Sequence, residues 1–406
     1  MLGSIGRPWR RCNEAARLHW CHTLSLGPAM SFGCKIIVGV LLLVGHSVSV
    51  GELPVNGFPT DADFVPIGVW AQSPTRAANY KAIGINTFVG LHQGPTEAQL
   101  AALARQNMFA VAVQNDIGLK SLNRHVIKAW MQDDEPDNAQ PLPSGGYGAC
   151  IPAIEVARRT REMKIRDPTR PVMINFGQGV ANEFWQGRGP CNGDQGYYDL
   201  AIQGADILSY DIYPVASRTP QVKGRLEYVA RGVTNLVKRV ADGQTVWMAL
   251  ETTALDPAHR PTPAQVRSEV WMALIHGATG IFYFVHEFEP KFREDAIFRY
   301  PDIVEEVTRT NQLIKSLSPA LRSPSVSGAI SVSSQVPIAT MVKVYKDTTY
   351  IFAVAMQNSP STARITVNDV HETSARVIGE ARSVSIAQGS FEDQFEGYGV
   401  HLYQIP

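Results

Sequence analysis

Val126–Asp137 reads VIKAWMQDDEPD and Thr245–Thr253 reads TVWMALETT. Each opens as a short apolar run rich in β-formers, the pattern of a strand covered on both faces, and each ends abruptly in carboxylate. A carboxylate that closes a buried strand is costly to desolvate unless it is paired or put to use. The first run carries four acids in five residues, Asp133, Asp134, Glu135 and Asp137, with Pro136 restricting the backbone at Glu135. The second ends in Glu251.

Outward from these two runs the same alternation of strand and amphipathic helix repeats, the signature of successive βα units. The strands are expected at 64–72, 85–92, 109–115, 126–133, 172–176, 207–213, 245–250 and 280–285. Helices are expected at 74–83, 96–106, 151–165, 197–203, 225–240, 263–275 and 303–317, with room for only a short one between the third and fourth strands. Eight strands, seven of them followed by a clear helix, predict an α/β fold of the closed (β/α)8 TIM-barrel type. An open doubly wound sheet would carry a Gly-rich phosphate turn after its first strand, and the stretch GVWAQSPT has none.

After Leu321 the helical periodicity stops. Short strands are expected at 328–332, 340–345, 349–355, 364–367, 376–378 and 400–405, separated by Ser, Asn, Gly and Pro, which predicts a small all-β sandwich. The expected organisation is a leader over 1–52, a catalytic barrel over 53–322 and a C-terminal β-sandwich over 323–406.

The leader has the marks of export. The apolar run Ile36–Gly45 is too short for a membrane span, which takes ~20 residues, and fits the h-region of a signal peptide. Met30 would make a conventional start for it, and the residues before Met30 are expected to lie upstream of the true start. A secreted or periplasmic chain follows, with no stable membrane span once the signal is removed. Three of the five cysteines fall in the leader; the remaining pair, Cys150 and Cys191, is expected to form a disulfide in an exported chain.

Charge narrows the partners. Lys+Arg and Asp+Glu both number 37; five of the bases and one of the acids lie in the first 35 residues, which leaves 32 against 36 and a net of −4. Such a body has no electrostatic reason to bind nucleic acid. The ten histidines include no HxH or HExxH pair, so a metal-dependent hydrolase is disfavoured, and neither metal nor cofactor is expected.

Two carboxylates across a barrel mouth suit glycoside hydrolysis, one protonating the leaving oxygen and the other attacking the anomeric carbon. With its acids at the ends of the fourth and seventh strands, the sequence resembles the clan A retaining glycoside hydrolases over about residues 53–406. The resemblance implies a carbohydrate substrate, Glu135 as acid/base and Glu251 as nucleophile. It also implies that the residue before the acid/base binds the sugar 2-hydroxyl. That residue is typically Asn in the clan and here is Asp134, which when ionised accepts but cannot donate.

Other strand ends offer binding groups: Asn175 and Gln178 after the fifth strand, Tyr210, Asp211 and Tyr213 at the sixth, and His286 at the eighth. Tyr213 is the candidate to hydrogen-bond the nucleophile, by resemblance to the clan. Trp70 and Trp247 are candidates to stack on a sugar face. The competing reading is a non-catalytic carbohydrate-binding protein on the same scaffold, which would have no need of both glutamates.

Overall fold

The computed structural model describes residues 57–185 and 194–406. The expected leader and Cys191 lie outside them. Eight parallel strands close into a barrel: β1 (Ile67–Gln72), β2 (Thr87–Leu91), β3 (Phe109–Val113), β4 (Ile127–Met131), β5 (Val172–Phe176), β6 (Ile207–Asp211), β7 (Thr245–Glu251) and β8 (Gly280–Phe284). The ring closes where β8 pairs with β1, Ile67 opposite Ile281. The expected TIM barrel is therefore present: β5 has the expected limits, β7 runs one residue further to Glu251, and the other strands end within three residues inside theirs.

All eight strands are followed by a helix: α1 (Ala77–Ala82), α2 (Glu97–Gln106), α3 (Asp116–Lys120), α4 (Ala153–Arg166), α5 (Gln195–Ala201), α6 (Glu227–Val237), α7 (Pro263–Ile275) and α8 (Pro301–Leu321). Their starts follow local chemistry. Thr96 and Thr262 cap α2 and α7 in reciprocal capping boxes with Gln99 and Gln265, satisfying otherwise orphaned backbone donors. The five-residue α3 is capped by the Asn115 side chain on the Gly118 N–H, 2.7 Å away. Among the described residues no helix is long and apolar enough to cross a membrane.

Strand alternation divides the core in two. On β7, Val246, Met248 and Leu250 join the apolar layer beneath the helices. On β8, Phe282 points inward and stacks on Trp70 of β1, ring centres 5.5 Å apart. At the end where the strands begin, Phe58 and Phe64 close the barrel against Phe109 and Trp247, with Phe58 and Trp247 centres 5.2 Å apart.

Beyond α8 the chain forms a β-sandwich. One sheet has the order β10 (Ile338–Tyr345), β11 (Thr348–Ala355), β16 (Val400–Ile405), β13 (Ser374–Val377), β14 (Arg382–Ser385). The other has the order β15 (Ser390–Phe395), β12 (Ser361–Val367), β9 (Ile330–Ser334). Strands β14 and β15 were not expected. β14 spells RSVS and β15 spells SFEDQF, where a single buried valine and a run of polar residues hide the alternation. The sandwich rests on α7: Trp271 stacks on Phe352 of β11 at 5.6 Å, and the Ser268 hydroxyl donates to the Tyr398 carbonyl at 2.7 Å.

Candidate active site

The loop after β4 owes its shape to one extra residue. Trp130 N–H donates to the Pro171 carbonyl and Gln132 N–H to that of Met173, two residues further on each chain. The next bond in a regular parallel ladder would come from Asp134. It comes instead from Glu135, whose N–H donates to the Asn175 carbonyl at 2.8 Å. The insertion re-aims the acids that follow, as bulges do. Gln132 and Asp133 both turn to α4, Gln132 bonding the Val156 carbonyl at 2.9 Å and Asp133 pairing with Arg159. Asp134 accepts from Asn175 Nδ2 at 2.9 Å, and Asn175 Oδ1 accepts from the Ser209 hydroxyl at 2.7 Å.

Glu135 then stands in the left-handed region, φ 46°, immediately before Pro136. An L-residue with a Cβ is strained there by about 1–3 kcal/mol, and the following proline ring favours extended backbone instead. The surrounding turn holds it in place. The Glu135 carbonyl accepts from Asn138 N at 3.1 Å and from Gln140 Nε2 at 3.2 Å, and the Pro136 carbonyl accepts from Ile151 N at 2.9 Å. Only 6 % of Glu135 is exposed.

Asp137 fastens this turn to the loop after β5. It accepts from Gly177 N at 2.8 Å and from the Tyr198 hydroxyl at 2.9 Å. Burial pushes its carboxyl up to about 7, the Gly177 bond opposes this, and the charge of Glu135 adds to it. Asp137 belongs to the acid run noted in the sequence, but its partners come from the loop after β5 and from α5, which no local pattern reports.

Glu251 ends β7 with no accessible surface. Its oxygens accept from Val215 N at 2.7 Å and Ala216 N at 3.0 Å, both in the connection between β6 and α6. Glu269 of α7, also without accessible surface, lies against it. Burial raises the Glu251 carboxyl to about 7, and the backbone bonds and Glu269 pull the other way. The carboxylate is therefore fully enclosed, with the β6–α6 connection lying over it.

The remaining candidates divide. Asp211 ends β6 with 9 % exposure, and the Tyr213 ring packs on Phe284 at 5.3 Å. His286 lies 3.1 Å from the Gln72 amide nitrogen and stacks on Phe292 at 5.7 Å. Burial, and then the neighbouring His92, lower its ring to about 4, so it is neutral at physiological pH. Gln178 is half-buried and accepts from Asn182 Nδ2 at 3.1 Å. Trp70 is largely taken up by its stack on Phe282 inside the barrel.

Two expectations are corrected. Tyr210 points outward, its buried hydroxyl bonding the Val229 carbonyl of α6, because alternation on β6 gives Ser209 and Asp211 the inner face. Trp247 sits at the closed end of the barrel against Phe58, two turns of alternation before Glu251, so it packs the floor instead of facing a sugar.

Sequence reasoning missed Phe284, Phe288 and Phe292, which cluster with His286. Phe288 and Phe292 lie in a loop with no periodicity to mark them. It also missed Glu269, whose place between Val266 and Val270 on the apolar face of α7 was a readable sign of burial. Among the described residues no group of three or more His, Cys, Asp or Glu is placed to hold a metal ion.

In architecture the chain is similar to an α-amylase from Anoxybacillus, with TM-score 0.52 and 10 % identity over 85 % of this chain and 98 % of that one. An α-amylase from Geobacillus thermoleovorans, solved in complex with acarbose, gives TM-score 0.51 and 12 % identity over 85 % and 98 %. A putative α-galactosidase from Bacteroides fragilis gives TM-score 0.51 and 10 % identity over 85 % and 79 %. At these identities the likeness establishes the fold. No protein-family model matches the chain, and no curated protein sequence does.

Proposed function

We propose that the chain is a glycoside hydrolase that cleaves O-glycosidic bonds of a glycan or oligosaccharide by retaining double displacement. The observation that carries the reading is Glu135: a carboxylic acid held in strained left-handed backbone at the C-terminal end of a barrel strand. Strain of this kind persists where the surrounding structure over-determines it, and it clusters at active sites. The barrel places its chemistry at that end of the strands. The amylases and the putative galactosidase that share the fold lend the substrate class.

In this reading Glu135 gives its proton to the glycosidic oxygen as that bond to the anomeric carbon breaks. A Glu251 oxygen bonds to the same carbon, giving a covalent glycosyl–enzyme. Glu135, now a carboxylate, takes a proton from water as the water oxygen displaces Glu251, which restores both groups. Before attack the Val215 and Ala216 N–H groups hold Glu251, so the β6–α6 connection has to release one oxygen to the sugar. Asp134, steadied by Asn175, is placed to accept a hydrogen bond from a sugar hydroxyl. Export of the chain and a Cys150–Cys191 disulfide complete the proposal; quantitation of free thiols in the secreted protein checks the latter, with none expected.

The test is a panel of aryl glycosides and polysaccharides. One member should be hydrolysed with the anomeric configuration retained. E135Q should lower kcat by about 10²–10⁴, and E251Q should abolish turnover. An inverted product, or an E251Q protein that turns over normally, rejects the mechanism.

The sealed position of Glu251 favours a second reading, a barrel that binds carbohydrate without cleaving it. In that case no glycoside is hydrolysed and glycan binding survives both substitutions.

A further inference from the structure

Helix α7 lays Glu269 against the carboxyl of Glu251, and neither residue has accessible surface. Both Glu251 oxygens already accept backbone N–H bonds. Among the described residues neither oxygen of Glu269 meets a donor. Two bare carboxylates in contact at this depth would repel strongly, and both Glu269 oxygens would stay desolvated and unsatisfied. A single proton removes both difficulties, since a carboxylic acid can donate to its neighbour.

We propose that Glu269 is held as a neutral acid and donates a hydrogen bond to Glu251, making it the positioning residue that keeps the candidate nucleophile ionised and aimed. Its meaning for catalysis rests on the function proposed above; its protonation does not. The surroundings agree in direction. Burial first, and then the Glu251 charge, hold the Glu269 carboxyl well above the usual range. Among the described residues no lysine or arginine is one of the groups that shift either acid, and the buried Tyr210 phenol of β6 is a further titratable group that feels Glu269. Glu269 touches no substrate in this arrangement and acts only through Glu251.

The variants E269Q and E269L separate the possibilities. Glutamine keeps a donor and removes the titration, whereas leucine removes the donor. Infrared difference spectra at pH 8, above the Glu251 and Asp137 titrations, should show in the unmodified protein a carboxylic-acid stretch that is absent from E269Q. Identical spectra would overturn the proposal, whether or not a substrate is known. With a substrate, the acidic limb of the kcat/KM–pH profile should rise by about one unit in E269L, the scale of a lost bond to a charged group. That is a loss of about tenfold at pH values below the limb, and E269Q should return the limb to its original place. A limb unmoved in E269L rejects the positioning role. Failure to find any hydrolysed glycoside rejects the enzymatic reading and leaves the infrared result to decide this one. Thermal melts check folding, and E269Q, which changes one atom, carries the infrared comparison if E269L does not fold.

Discussion

The N–H of Glu135 bonds the carbonyl of Asn175 at 2.8 Å, one residue later than the β4–β5 ladder sets. That single slip decides which acid faces which neighbour: Asp133 goes to α4, Asp134 to Asn175, and Glu135 is left in left-handed backbone before a proline. The strain is local, so it can be measured.

E135G and E135A remove the same carboxyl, but only glycine is at ease at φ 46°. E135G should be more stable than E135A by about 1 kcal/mol in urea denaturation. Equal stabilities would mean that the backbone at this position carries no strain.

Asn175 holds Asp134 on one side and Ser209 on the other. Replacing it with alanine leaves the buried Ser209 hydroxyl only its longer bond, 3.3 Å, to the Ile174 carbonyl, and takes away the Asp134 partner. N175A should lose about 2 kcal/mol and should raise KM for any glycoside the protein hydrolyses. An unchanged KM would remove Asp134 from the list of sugar contacts.

Asp137 and Glu251 both have carboxyls lifted to about 7 by burial. The folded chain therefore holds protons that the unfolded chain gives up near pH 4. The stability tied to these protons is complete below about pH 4 and is lost as pH climbs through 7. Each group can contribute at most about 1.4 kcal/mol per pH unit. Denaturation midpoints at pH 5, 6, 7 and 8 should fall in that order, and D137N should make the fall shallower. A wild-type midpoint that rises over this range would contradict the assignment.

Tyr210 packs against Gly232 of α6 so closely that a Cβ there would come within 2.2 Å of the ring. G232A should cost about 1–3 kcal/mol by overpacking, and Y210F should cost about 1 kcal/mol while leaving KM unmoved. A raised KM in Y210F would restore the phenol to the sugar site.

Most of the fold was legible because it repeats. Runs such as Val172–Phe176 and Gly280–Phe284 are apolar on both faces, and only a covered parallel sheet uses strands of that kind. The placement of Glu135 and Glu251 at strand ends was legible for the same reason, since an acid ends the apolar run. Side-chain direction was not. Tyr210 and Asp211 are neighbours in sequence and face opposite ways, which becomes visible only once the inner face of β6 is known. The enclosure of Glu251 was hidden as well, because it comes from Val215, Ala216 and Glu269, contributed by a loop and a helix that sequence reading treats separately.

Helix α7 is buried throughout from Ser268 to Ile275: the barrel takes one flank, and Phe352 and Tyr398 of the sandwich take another. The terminal sheets are thus foundation masonry for the wall that bears Glu269, and a chain cut after Leu321 would present Trp271 to water as an adhesive strip. Shortening this protein to its barrel should give aggregates instead of a smaller working unit, so any effort to trim the chain has to carry the eight strands of the sandwich along with it.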